Sequence, residues 1–343
     1  MSNQQSHAAG LIKAKVPETW KLPNDEIASL CRTATEPVVL RSAVSDWTIT
    51  KHAAASHEDL LNYLLEFDAG ASVALFDGPR DNAGRIFYDE TYAGLNCEMR
   101  QLSVSEALNV IFANAMEQTP SLKYMGSTPI ASHFSGLDSE NQISIEGADA
   151  YIWIGGPSRI SAHYDLSENL ACVVAGKRQF ILFPPDQLKN LYVGPLDFSP
   201  AGQPISLVDF HDPDYERFPR FREALEHALI ADLEPGDAIF IPSMWQHHVE
   251  ALSAINVLVN YWFRRTPEYL GAPMSALEHA MMTLRDLPPD QKESWREIFD
   301  YYIFKNDPVA AEHIPRHIRG ILDPVSPEDA QRIRATLLNR LNS

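Results

Sequence analysis

Apolar residues recur along this chain with two different periods. Over His57–Phe67 they fall at Leu60, Leu61, Tyr63 and Leu64, the spacing of an amphipathic helix. Ser103-Val104-Ser105-Glu106 reads as a capping box opening a second helix through Ala107, Leu108, Val110, Ile111 and Phe112. A shorter helix is predicted over Asn24–Arg32, capped by Asn24 or Asp25. Pro37–Arg41 and Ser72–Phe76 read as strands. From about residue 120 to 265 the pattern changes, and short β-branched and aromatic runs alternate with Gly, Pro and Asp. These predict strands at Ala150–Ile154, Leu170–Val174, Gln179–Phe183, Ala238–Ile241, His248–Ala251 and Asn256–Phe263, interrupted by a helix-like insert at Phe221–Ile230. Beyond residue 267 helical spacing returns in three stretches: Leu277, Ala280, Met281 and Leu284; Trp295, Ile298, Phe299 and Tyr302; Ala330, Ile333, Leu337 and Leu341. The expected organisation is a mixed α/β flank over 1–120, a β core over 121–266 and a helical region over 267–343. Strands at this density suggest a sandwich or barrel.

Composition narrows the class. Of 343 residues, 45% are hydrophobic and 22% charged, which excludes disorder as the main state. No apolar run approaches the ~20 residues of a membrane span, and the opening MSNQQSHAAGLIKAK lacks the apolar stretch of a secretory leader. A cytoplasmic protein with no membrane partner is expected. Lys plus Arg number 28 against 46 Asp plus Glu, a net charge of −18 that disfavours nucleic acid as a partner. Cys31, Cys97 and Cys172 are widely spaced and odd in number, which excludes a disulfide scaffold or an all-cysteine zinc site.

The segment Ser161-Ala162-His163-Tyr164-Asp165 carries chemistry if it is extended, because side chains two apart share a face of a strand. His163 and Asp165 would then converge. A second source of imidazole lies downstream, in Trp245-Gln246-His247-His248-Val249-Glu250. Here His247 shares a face with Val249 and Ala251, whereas His248 shares one with Glu250. The apolar face points inward, so His247 is the better ligand; the bland alternative is one satisfied core histidine and one solvated. Two histidines and one carboxylate suit iron(II) with open positions, while a closed zinc site needs a fourth ligand.

Several segments in order resemble the cupin-like JmjC family of iron(II)/2-oxoglutarate oxygenases. They are Gly155-Gly156 leading to His163-Tyr164-Asp165, Gly176 through Pro185, and Gly236-Asp237…Ile241-Pro242…His247-His248-Val249-Glu250. Asp212 through Pro219 and Val259-Asn260-Tyr261-Trp262 resemble the asparaginyl hydroxylase branch. The resemblance covers about residues 35 to 265. It implies a double-stranded β-helix, or jelly roll, with flanking N-terminal helices and a C-terminal helical region. It places His163, Asp165 and His247 on the iron ligands and catalytic centre, and Tyr124, Asn169, Arg178 and Asn260 beside 2-oxoglutarate. Three positions depart from the family pattern. Arg178 stands where a lysine is usual, with Lys177 one residue earlier; Ile160 replaces a threonine and Gly126 a glutamine. The implied activity is an iron(II)- and 2-oxoglutarate-dependent dioxygenase hydroxylating a protein side chain, amino acid or metabolite, with O2 as co-reactant. The alternative is a non-catalytic module binding a metal, small molecule or peptide. The resemblance also implies a homodimer formed through the C-terminal helices.

Overall fold

The computed structural model describes residues 6–200, 202–305 and 309–342. The chain divides into two compact units, Met1–Arg264 and Arg265–Ser343. The first is built on two sheets. From edge to edge the six-stranded sheet runs Ala14–Lys15 (β1), Leu229–Leu233 (β12), Arg178–Phe183 (β11), Gln246–Ala251 (β14), Ser158–His163 (β9) and Arg85–Ile86 (β5). The nine-stranded sheet runs Glu18–Trp20 (β2), Val38–Arg41 (β3), Ala238–Ile241 (β13), Glu168–Ala175 (β10), Asn256–Phe263 (β15), Asp149–Gly155 (β8), Leu122–Pro129 (β7), Ser72–Gly78 (β4) and Glu98–Ser103 (β6). The fold is mainly β, a jelly roll with helices at its flanks.

Burial explains why the central strands read as apolar runs. On β10 every residue is buried. Leu170, Cys172 and Val174 pack into a core shared with the helices Asn24–Thr33, His57–Glu66 and Val104–Ala115. Ala171 and Val173 face the other way, meeting Phe180, Leu182 and Val249 of the six-stranded sheet. The outer face of that sheet is covered in turn by Phe210, Phe218, Phe221 and Leu225 against Ile181, Phe183 and Ile230. A strand covered on both faces carries apolar residues at successive positions rather than alternate ones.

Two local expectations change, and one helix was not predicted. Phe221–Ile230 is helical only over Phe221–Glu226; Ile230 belongs to β12, where it pairs with Ile181. The helix Asn24–Thr33 starts at Asn24 itself, its N-cap is Pro23, and no side chain caps it. A further helix, Thr48–Ala55, has a β-branched first turn and likewise no side-chain cap, so its sequence carries little helical signal. At Ser103 the capping box is present.

In the second unit the main helices are Pro273–Leu284, Pro289–Phe299 and Pro327–Leu341, the last opened by a Ser326/Asp329 capping box. Each has proline in its first turn, where no N–H is needed. One π turn, Asp300–Phe304, extends the second. Arg334 donates to the Tyr269 carbonyl at 2.7 Å, and the Tyr269 hydroxyl donates to that of Val325 at 3.2 Å. Among the described residues of this unit, Ala311 and Ala330 are the only buried hydrophobics. No helix among the described residues is long and apolar enough to cross a membrane.

Candidate metal centre

Alternate positions of facing strands line one cavity of about 390 Å³ in the first unit. Tyr124 and Gly126 come from β7, Asn169 and Ala171 from β10, Arg178 and Phe180 from β11, His247 and Val249 from β14, and Leu258, Asn260 and Trp262 from β15. The two-residue period puts each set on one face.

His163 closes β9 and lies directly opposite His247 across the β9–β14 pairing. Their rings stand 4.4 Å apart, centroid to centroid. Asp165 is not on the strand, as its spacing from His163 suggested; it sits on the loop just beyond, and the loop turns its carboxylate back. His247 Nε2 lies 3.6 Å from Asp165 Oδ2. One ligand atom from each of His163, Asp165 and His247 fits within 4.8 Å of the others. Each imidazole has its Nδ1 beside a backbone carbonyl two residues earlier: His163 to Ser161 at 2.9 Å, His247 to Trp245 at 3.0 Å. With Nδ1–H donating there, Nε2 carries the lone pair that a metal takes. Desolvation in the cavity, helped by neighbouring His247, lowers the His163 pKa and favours the neutral ring.

His248 points to the opposite side of β14. It is buried, stacks on Phe210 at 4.3 Å, and its Nε2 lies 2.9 Å from Glu250 Oε1. The same carboxylate takes a hydrogen bond from His211 at 3.0 Å. Desolvation would raise the Glu250 pKa, but the hydrogen bonds from His211 and His248 hold it far below the usual carboxylate range.

Arg178 is 3% exposed and lines the cavity, yet its Nε and Nη2 have no hydrogen-bond partner among the described residues. Burial pulls its pKa down to about 10, with the neighbouring Tyr124 phenol opposing the shift. The group therefore stays cationic at neutral pH. An unpartnered guanidinium in an apolar cavity fits a carboxylate entering from solvent. Lys177 instead points outward and pairs with Glu234 at 2.7 Å. Tyr124 is buried beside Arg178, and desolvation pushes its phenol up to about 12, so it remains a neutral donor. Ile160 lines the cavity as an apolar wall. At Gly126 an added Cβ would come within 2.7 Å of Tyr124 and 3.0 Å of Trp153, so these rings occupy the space a side chain would need.

Asn169 and Asn260 are brought together and to the metal cluster. Asn169 Nδ2 donates to Asp165 Oδ2 at 3.1 Å, and Asn260 Nδ2 donates to Asn169 Oδ1 at 3.3 Å. Sequence reasoning missed two indoles that join this network. Trp262 Nε1 donates to Asp165 Oδ2 at 3.1 Å, and Trp153 Nε1 donates to Asn260 Oδ1 at 2.7 Å. Trp262 was within reach of the two-residue period, since it lies two positions after Asn260 on one strand.

Comparison with known proteins agrees with this architecture. The family model described as "Cupin-like domain" matches residues 25–269. JmjC domain-containing protein F of Dictyostelium discoideum is 31% identical over 160 residues, 43% of this chain and 34% of that protein. Lysine-specific demethylase JMJ31 of Arabidopsis thaliana is 35% identical over 129 residues, 37% of this chain and 22% of its own. tRNA wybutosine-synthesizing protein 5 of Danio rerio is 30% identical over 146 residues, 38% and 42% of the two chains. In each case the match spans less than half the relative's length.

Proposed function

The chain belongs to the cupin-like domain family, and from that premise we propose that it is an iron(II)- and 2-oxoglutarate-dependent dioxygenase. The observation that carries this reading is the pairing, in one cavity, of a three-ligand His/Asp/His cluster with a buried guanidinium that has two unpartnered nitrogens. The first suits a divalent ion with open positions. The second suits the far carboxylate of a dicarboxylic acid held at that ion.

In this proposal His163 Nε2, Asp165 and His247 Nε2 hold the metal. Bound iron(II) with 2-oxoglutarate supplies oxygen activation, coupling the co-substrate's decarboxylation to succinate with oxidation of a C–H bond. Arg178 neutralises the distal carboxylate and so sets the depth at which the co-substrate lies. The Tyr124 hydroxyl stays protonated and donates beside it. Asn169 and Asn260, on adjacent strands, complete the polar edge of the same pocket. Phe76, Ile86, Phe180 and Ile205 keep the remaining wall apolar and exclude water from the reacting groups.

The substrate does not transfer from the relatives, whose names point to a lysine and to a tRNA. Nor does the asparaginyl hydroxylase likeness bring its protein substrate, because Gly126 leaves no room for the side chain that the likeness would call for. The second unit is proposed to pair two copies of the chain, on the strength of the exposed Ile298, Tyr302, Ile303, Phe304 and Leu338. The test of activity is succinate release from isotope-labelled 2-oxoglutarate, followed by mass spectrometry for a gain of one oxygen in candidate substrates. Succinate release that depends on iron and is abolished by His163→Ala supports an enzyme. Binding of 2-oxoglutarate with no succinate under any condition would favour the non-catalytic alternative.

A further inference from the structure

Asp165 lies beyond the end of β9, so no strand pairing aims its carboxylate. On its backbone, the Met244 N–H donates to the Asp165 carbonyl at 3.0 Å. Its side chain is held by two donors on one oxygen: Asn169 Nδ2 and Trp262 Nε1, each 3.1 Å from Oδ2. The first of these is the end of a chain. Trp153 Nε1 donates to Asn260 Oδ1 at 2.7 Å, and Asn260 Nδ2 donates to Asn169 Oδ1 at 3.3 Å.

The direction of this chain is forced. An indole N–H can only donate. Asn260 must therefore turn its oxygen to Trp153 and its amide nitrogen to Asn169. Asn169 must meet that nitrogen with oxygen, which leaves its own nitrogen for Asp165. The donor-only indole at one end and the acceptor-only carboxylate at the other require the same orientation of both amides, and the chain delivers a donor to the carboxylate. Asn169 and Asn260 are nearly fully buried, at 7% and 1% exposure, and face the cavity. The second indole reaches the same oxygen in a single step, and its ring stands edge-on to that of Trp153 at 5.8 Å.

We propose that Trp262 and the chain Trp153–Asn260–Asn169 are positioning residues for the metal-binding carboxylate of Asp165, with Trp153 setting the orientation of both amides. This rests on the reading of His163, Asp165 and His247 as a metal site. In this role the indoles act through Asp165. Trp262 also walls the cavity, so a substrate pressed against its ring is one hydrogen bond from the metal ligand.

The test measures the affinity of the full-length protein for Mn(II), and its visible spectrum with Co(II), both without 2-oxoglutarate. Loss of partners that orient a metal ligand typically weakens metal binding roughly 10- to 100-fold, and Trp262→Phe is expected in that range with a shifted Co(II) spectrum. Trp153→Phe should weaken binding less. Its effect should vanish when Asn260→Leu is already present, because the chain is then broken at its middle. A packing role for Trp153 would instead add to Asn260→Leu. Unchanged Mn(II) affinity and Co(II) spectra in both tryptophan variants, or additive effects at 153 and 260, would overturn the proposal. Should Trp262→Phe fail to fold, the 153/260 cycle still decides. Failure of the unmodified protein to bind either ion would overturn the metal-site reading itself and the positioning role with it, an outcome distinct from normal binding with indifferent variants.

Discussion

Arg178 and Lys177 are adjacent in sequence and opposite in environment. One is buried in the cavity with two nitrogens that lack a partner among the described residues; the other is solvated and paired with Glu234. Arg178→Ala should therefore raise the 2-oxoglutarate requirement by about 10- to 150-fold, the equivalent of roughly 1.5–3 kcal/mol for a lost charged hydrogen bond. Lys177→Ala should leave it unchanged. Steady-state titration of the co-substrate checks this, and equal effects from both substitutions would count against the assignment. Spacing alone left these two residues open, because which one points inward depends on where β11 begins. A second residue-scale prediction concerns Glu250. Its folded-state pKa is far below its ordinary value of 4.5. The stability it contributes is thus present above about pH 4.5 and lost as pH falls below that value. Glu250→Gln should lower the melting temperature at pH 7 and flatten its fall between pH 6 and pH 3. A variant whose acid profile parallels that of the unmodified protein would mean that His211 and His248 do not stabilise the charged form.

At the scale of elements, β7 and β8 pair so that Gly155 lies opposite Tyr124. A Cβ at Gly155 would come within 2.7 Å of the Lys123 carbonyl oxygen, a backbone atom that cannot swing aside. Gly155→Ala should destabilise the protein by about 1–3 kcal/mol and also weaken 2-oxoglutarate binding, because the strands that part carry Tyr124. Chemical denaturation and co-substrate titration on the same variant check both effects; loss of stability alone would detach Tyr124 from the pocket's function. Strands β7 and β9 show what a search for apolar runs could not reveal. β7 reads Leu-Lys-Tyr-Met-Gly-Ser-Thr-Pro and β9 reads Ser-Arg-Ile-Ser-Ala-His, the first about half and the second almost wholly polar or small. They escape a search for β-branched and aromatic runs, yet they supply Tyr124 and His163. The fully buried β10 and β13, and β15 with only Trp262 partly exposed, were legible because both faces are covered. Asp165 was legible as a partner of His163, but for the wrong reason: a loop, not the pleat, returns it to the site.

At the scale of the whole molecule, the two units differ in how their apolar surface is used. The first buries apolar residues in layers on both faces of its sheets. In the second, Ile298, Ile303 and Phe304 are 42%, 57% and 73% exposed. If two copies pair through this surface, Ile298→Arg should release monomers at micromolar concentration, with light scattering as the measure. An unmodified protein that scatters as a single 38.4 kDa chain would rule out a stable pair. The central claim concerns the cavity, where a triad of ligands and an unpartnered guanidinium meet. Its most direct test is an anaerobic titration of the protein with iron(II) and 2-oxoglutarate, followed in the visible range. The account predicts a weak charge-transfer band that saturates at one iron per chain, is absent with either component alone, and is lost in His247→Ala while persisting in His248→Ala. No band at saturating concentrations of both, or a band unaffected by His247→Ala, would contradict it.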